Sequence, residues 1–404
     1  MKIKWTILLL FLSFTLIQAG SVLSSKGLGT PVGLASGRSM GMGGVAIAVP
    51  NAFDLPRINP AGLYQIQLAR FAIQYSYESN HYTSDEESAH SPHSNFDGFN
   101  FGFPIASRGA LAFNLVPYTH INYKTSFPSS IDEQSYIQVL NGTGGVNTLN
   151  LSGSYRLFQK MAIGITGHFY FGRLEKNWII DFSNSGTYTT KDTYATKVSG
   201  SGLTLGLQVN PVSGLTTGVI WTPEVTLDSK TYLDYKSMDD DAEITYIHYR
   251  DTLNGNIKLP ATLGFGLGWR LKKWLIGSDV VYTDWKTMKV NGEPSGRTQS
   301  TVKLAVGCEY TPSANPYASL FNKSAYRLGF SYSPYYIKDN SGDSISEWRL
   351  TAGFGIPIWN NTSRANFAFS YGQRGDLETN GLSEKLFRIT LSLDAGEKWF
   401  VRRR

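Results

Sequence analysis

Several stretches of this chain carry residue types that do chemistry elsewhere, and each lacks a necessary part. His90-Ser91-Pro92-His93 sets two imidazoles close together, with Asp85, Glu86 and Glu87 just before them. Imidazoles and carboxylates bind divalent metals, but the other histidines are scattered and the stretch reads as a solvated loop. Asp239-Asp240-Asp241 with Glu243 offers the oxygen donors calcium prefers, without the glycine and donor spacing of a calcium loop. Gly37-Arg38-Ser39-Met40-Gly41-Met42-Gly43-Gly44 has the glycines of a phosphate cradle, yet no Lys-Ser/Thr follows and no strand–helix–strand unit surrounds it. His168 and Asp279 fall on positions that face inward, but no serine sits in a nucleophile motif. Cys308 is the only cysteine, so neither an internal disulfide nor a cysteine-built metal site is available. The reading is a non-enzyme with no cofactor and no metal.

What surrounds these residues is alternation. From Gln67 onward apolar and polar residues exchange with period two, the pattern of strands that are apolar on one face. Phe71-x-Ile73-x-Tyr75, Leu203-x-Leu205-x-Leu207 and Leu263-Gly264-Phe265-Gly266-Leu267-Gly268-Trp269 are representative. Counting such runs gives fourteen strands, ending with one centred on Phe387 to Leu393. Short connectors (Ile105–Gly109, Phe158–Lys160, Pro211–Gly214, Leu271–Lys273) alternate with long ones (Glu78–Asn95, Thr119–Gly145, Leu174–Lys197, Pro223–Ile257). An even strand count with alternating turns and loops marks an antiparallel transmembrane β-barrel. In lipid a sheet must close on itself, because no backbone N–H or C=O can be left unpaired there. Tyr77, Tyr118, Trp221, Trp269, Trp274, Trp285, Trp348 and Trp359 lie near strand ends and suit the interfacial girdles of such a barrel.

Composition agrees. Charged residues are 17% of the 404, below the roughly 25% of soluble domains, while aromatics reach 13% and glycines number 41. Of the net charge of +6, five come from Lys2, Lys4, Arg402, Arg403 and Arg404, which leaves +1 on the body and no basic face for nucleic acid. Residues 1–19 have a basic start, a short apolar core and small residues at Ala19-Gly20, the layout of a cleaved export signal. Residues 20–64 break the alternation and are rich in glycine. They read as a plug inside the lumen, residues 65–400 as the all-β barrel, and 401–404 as a basic tail.

With those residues in view, the chain resembles the FadL/TodX family of outer-membrane transporters for hydrophobic compounds. Asn59-Pro60-Ala61-Gly62-Leu63 is similar to the family's hatch signature before the first strand. Leu259-Pro260-Ala261-Thr262-Leu263-Gly264, Tyr282-Thr283-Asp284-Trp285 and Tyr326-Arg327-Leu328-Gly329-Phe330 are similar to its later strands. The Ser36–Gly44 opening also resembles PorV-type barrels, which serve a protein-secretion machine. The resemblance implies a fourteen-stranded barrel with an N-terminal hatch, in the bacterial outer membrane.

It further implies passive passage of small hydrophobic compounds such as long-chain fatty acids through a monomer. On that reading the hatch and gate residues are Asn59, Pro60, Ala61, Gly43 and Gly44. Asn59 can hydrogen-bond backbone groups of an irregular plug, and Pro60 stiffens the entry to the first strand. Pro117 in Val116-Pro117-Tyr118 removes a ladder donor from the third strand, and it is the candidate for a lateral opening to outer-membrane lipid. Ile121, Tyr123 and Phe127 are placed in an outer loop as ligand-capture residues. The alternative is a PorV-like barrel that binds a protein partner. A continuous apolar path from loops to plug argues for transport, and a sealed polar lumen with a large exposed patch argues for partnership.

Overall fold

The structure, a computed structural model, describes residues 21–84, 88–105, 107–131, 134–182, 189–239, 244–295, 297–359 and 361–399. The export signal, the basic tail, the Asp85–Glu87 acids and the acids at 240–243 lie outside the described residues. The alternating runs form strands β1 (Ala69–Ser84), β2 (Ser88–Ile105), β3 (Gly109–Ile131), β4 (Gln134–Phe158), β5 (Met161–Asp181) and β6 (Thr189–Val209). Strand β7 comprises Leu215–Thr222 and Val225–Asp239, broken at Pro223. Strand β8 comprises Ile244–Leu259 and Thr262–Leu271, broken at Pro260. The rest are β9 (Trp274–Thr283), β10 (Thr301–Tyr310), β11 (Ala325–Pro334), β12 (Ser346–Ile358), β13 (Ser363–Arg374) and β14 (Leu382–Glu397).

Each strand pairs antiparallel with the next, and β14 returns to β1 from Leu382↔Ser84 to Glu397↔Ala69. The sheet is a closed fourteen-stranded barrel. Its outer surface exposes one apolar residue at every second position, as with Leu263, Phe265, Leu267 and Trp269 on β8. A water-exposed barrel would not carry that belt, whereas a lipid-exposed one requires it. Trp221, Trp274 and Trp359 stand on its exposed surface. Trp285 and Tyr118 do not, for both turn inward into an apolar core.

The long connectors differ from the sequence reading. The described residues of Glu78–Asn95, Thr119–Gly145, Leu174–Lys197 and Pro223–Ile257 are for the most part continuations of the strands rather than loops. Their polar composition reflects a wall standing in water above the lipid belt, where alternation no longer needs an apolar outer face. Strands β3 to β6 run 21 to 25 residues, while β9, β10 and β11 run 10. The barrel is therefore lopsided, with a tall wall over one side.

Candidate functional site

Residues 36–66 fill the lumen on the short-turn side. Ser36 caps a single helical turn, Gly37–Met40, and Asn59 caps a 3-10 turn, Pro60–Gln65, with Pro60 in the first position where a missing N–H costs nothing. Asn59 is fully buried. Its Oδ1 accepts from the Ala61 N–H at 3.0 Å, and its Nδ2 donates to the Ile47 and Leu207 carbonyls at 2.8 and 3.2 Å. The side chain thus ties two parts of the plug to each other and to β6.

The plug backbone lies directly on the wall. A Cβ added at Gly206 would collide with Asn59, at Gly164 with Pro60 and Ala61, at Gly307 with Met42 and at Gly329 with Gly43. These wall glycines occupy the inward positions of alternating strands. Gly43 and Gly44 have φ of +71° and +84°, a region closed to most side chains, and they turn the plug back along β10 and β11. The Asp279 carboxylate accepts from the Ala46 and Ile47 N–H groups at 2.6 and 3.0 Å.

Charge locks the same region. The Glu309 carboxylate on β10 receives Arg38 from the plug at 2.9 and 3.1 Å and Arg327 from β11 at 2.8 Å, with all three side chains at most 4% exposed. Arg38 also donates to the Val49 carbonyl at 2.8 Å. An ion pair this deep is stable only with further hydrogen bonds satisfied, and here Asn366 accepts from Arg327 at 2.9 Å. The trio joins residues far apart in the chain, Arg38 before the first strand and Glu309 and Arg327 on β10 and β11. Charged residues at matching inward positions of adjacent strands, beside a plug arginine, are the signal that would have found the trio.

Above the plug lies a chamber of about 620 Å³, and below it a vestibule of about 510 Å³ that shares no lining residue with the chamber. The chamber walls hold paired charges. Arg374 bridges Glu347 at 2.7 Å and Glu384 at 3.1 Å, and Arg388 reaches Asp97 at 2.9 Å. Farther round the lumen, His168 joins Asn150 and Thr204 at 2.6 and 2.7 Å in a hydrogen-bonded belt.

The ligand-capture residues fall elsewhere than expected. Ile121 and Tyr123 are on β3, not in a loop, and are buried with Leu23 and Leu28 of the N-terminal segment, Trp285, and Tyr335 and Tyr336. Phe127, farther along β3, is exposed. The chain's own apolar side chains thus pack one side of the loop-side lumen, beside the chamber that Ile121, Trp285, Tyr335 and Tyr336 also line.

Pro117 sits in a β-bulge against β4. Among the described residues, β2–β3 pairing runs from Ile105↔Gly109 to Phe99↔Leu115 and stops two residues short of it. Beyond that point the Thr30–Pro31 strand pairs with Thr119 and His120. Val32 donates to the Tyr118 carbonyl at 2.9 Å, and the Ser24 hydroxyl bonds both the N–H and C=O of Asn122 at 3.2 Å. The N-terminal segment stands in for β2 along this seam. His90 lies on β2, 2.7 Å from Ser79.

A family model described as BamG matches residues 1–404. Comparison with curated proteins returns no sequence match. Solved structures do resemble the fold. A structure described as the CymD monoaromatic hydrocarbon channel shares 15% identity, covers 93% of this chain and 100% of its own, and has a TM-score of 0.60. A Pseudomonas aeruginosa FadL homologue gives 14%, 91%, 99% and 0.60, and the Pseudomonas putida toluene transporter TodX gives 15%, 94%, 99% and 0.59. At such identity the likeness concerns the barrel.

Proposed function

The chain belongs to the BamG family, and from that premise we propose that it is an outer-membrane barrel whose task is to hold a protein partner. The observation that carries this reading is the plug. It separates two cavities that share no lining residue, rests its backbone on wall glycines, and is tied to the barrel through the buried Arg38–Glu309–Arg327 trio. Moving it for each passing molecule would unpair buried charges at several kcal/mol apiece. A plugged barrel that raises a tall wall on one side is built as a platform. On this reading the short turns face the periplasm and the wall faces outward, as in other outer-membrane barrels.

A second reading is supported by the chamber and the seam. Passage of small hydrophobic compounds, long-chain fatty acids among them, would use the chamber as a binding site and Pro117 as the edge of a lateral exit. Asn59, Pro60, Ala61, Gly43 and Gly44 would then act as gate residues.

One preparation separates the two. The barrel is purified from its native membrane in gentle detergent, beside Asn59→Ala and Pro60→Ala variants, and measured by native mass spectrometry with lipid extraction. A stoichiometric protein that stays with all three forms supports the platform. A stoichiometric hydrophobic ligand whose occupancy changes in the variants, with no protein retained, overturns it in favour of passage.

A further inference from the structure

The tall wall has two chemically different faces. Positions that continue the buried inner face carry, in one row across adjacent strands, Leu140 on β4, Trp178 on β5, Asp192 on β6, Tyr235 on β7 and Tyr249 on β8. Tyr194 and Leu253 stand in the next rows down, and Phe127 continues the face on β3. Trp178 is 43% exposed, Tyr249 55% and Leu253 49%. Tyr194, Tyr235 and Tyr249 form a ladder with ring centroids 5.9 Å apart at each step, and the Tyr235 hydroxyl reaches that of Tyr194 at 3.1 Å.

The outer face on β5–β8 near the same height carries paired charges, while Ile137 on the outer face of β4 is 47% exposed. Arg173 meets Glu175 at 2.9 Å, and Asp234 meets His248 at 2.8 Å and Lys236 at 3.8 Å. Lys197 and Lys230 lie over the Tyr232 ring. An antiparallel sheet with one solvated polar face buries its other face against something. Lower down, that something is the chain's own Leu23, Leu28, Trp285 and Tyr336. Higher up, Leu140 at the β4 end of the row still packs against this core, while Trp178 and Tyr249 farther along it are exposed.

We propose that this upper inner face is the docking surface for the partner, a protein that extends the apolar core upward and sets basic side chains against Asp192 and Asp251. The inference rests on the platform reading above. Three observations select this occupant. The first is continuity, since the surface prolongs a core that is already covered by polypeptide. The second is charge. Among the described side chains of this face on β4–β8 above the core, Lys176 is held by the Ser25 carbonyl at 2.8 Å, which leaves Asp192 and Asp251 as the charges on offer. Partial burial already raises the Asp192 carboxyl above its ordinary pKa, so a cation placed there replaces solvation it lacks. The third is area. Six strands about 4.8 Å apart and roughly seven residues of about 3.3 Å give on the order of 500 Å² before side-chain relief. That approaches the roughly 800 Å² per partner of a standard interface, and exposed aromatics are the side chains that anchor such interfaces.

The experiment uses the full-length protein in its native cells. A photoactivatable phenylalanine analogue replaces Trp178, Leu253 or, on the outer face, Lys197 or Arg250, with folding checked by heat-modifiable gel mobility. The expected result is one and the same protein, identified by mass spectrometry, crosslinked in high yield from Trp178 and Leu253 and not from Lys197 or Arg250. Asp192→Lys with Asp251→Lys, and separately Tyr235→Ser with Tyr249→Ser, then lower recovery of that protein by at least about tenfold. Crosslinking only from the outer face, or recovery unmoved by both pairs, overturns the docking surface while leaving the platform reading intact. An adduct to a saccharide rather than a protein overturns it in favour of a glycan. If no site yields a protein and none co-purifies, the platform reading fails together with it.

Discussion

The two halves of the lumen are held by different balances of polar contact and apolar burial. On the short-turn side the contacts are polar and specific: Asn59 to three backbone groups, Asp279 to two, and Glu309 between two arginines. On the loop side Ile121, Tyr123, Leu227 and Met288 close an apolar core, and hydrogen bonds along the N-terminal segment, such as Tyr336 to the Gly29 carbonyl at 2.7 Å, run at its edge. The difference lies in the backbone. The plug buries large apolar side chains too, Met42, Ile47 and Leu63 among them, but its irregular, glycine-rich backbone must find hydrogen-bond partners outside any ladder, so directional bonds to the wall are added to burial. The upper segments bring large side chains and can be fixed by burial, which is non-directional. A polar lock tolerates no missing partner, whereas an apolar core tolerates reshaping.

Breaking that contrast begins with the charge. Glu309→Gln leaves two buried guanidiniums around a neutral amide, and the plug should lose about 3–5 kcal/mol of docking. The readout is entry of large antibiotics that the intact barrel excludes, together with protease nicking between residues 36 and 66. Unchanged exclusion and protection would show that the trio is not what holds the plug.

Ile121→Ala probes the other half and should cost about 2–5 kcal/mol in thermal unfolding of the barrel. Its signature is a lower midpoint in heat-modified gel mobility without antibiotic entry, since the plug is anchored elsewhere. Asn59→Ala should cost about 1–3 kcal/mol through its orphaned backbone partners. Hydrogen exchange is expected to accelerate at residues 44–64 and to stay unaltered around Leu23 and Leu28; equal acceleration in both places would mean that the halves are one cooperative unit.

Smallest of all is Tyr249→Ser. Its side chain is more exposed than buried, so stability should move by no more than about 0.5 kcal/mol. A loss of several kcal/mol on denaturant titration would mean that the aromatic face serves the fold of the wall itself.

Much of this was legible from residues alone. Period two in Phe71-x-Ile73-x-Tyr75 and the fourteen such runs determined a barrel, because one apolar face per strand has few other uses in a sheet without edges. The break in pattern before Gln67 set residues 20–64 apart from the strands, and Asn59 was read as a side chain for backbone groups, but the 3-10 turn it caps was not foreseen. The glycines of Leu263-Gly264-Phe265-Gly266-Leu267-Gly268 were visible, but their purpose was not. Periodicity tells which face a residue occupies and nothing about what approaches that face. The tertiary structure decided that Met42, Ile47 and Ala48 lie on wall glycines, that Arg38 meets Glu309 across 271 residues of chain, and that Ile121 is covered while Phe127 is bare. It also decided that the polar stretches beyond the belt are strands, since a hydrophilic hairpin and a hydrophilic loop have the same composition and differ only in whether their backbones find each other.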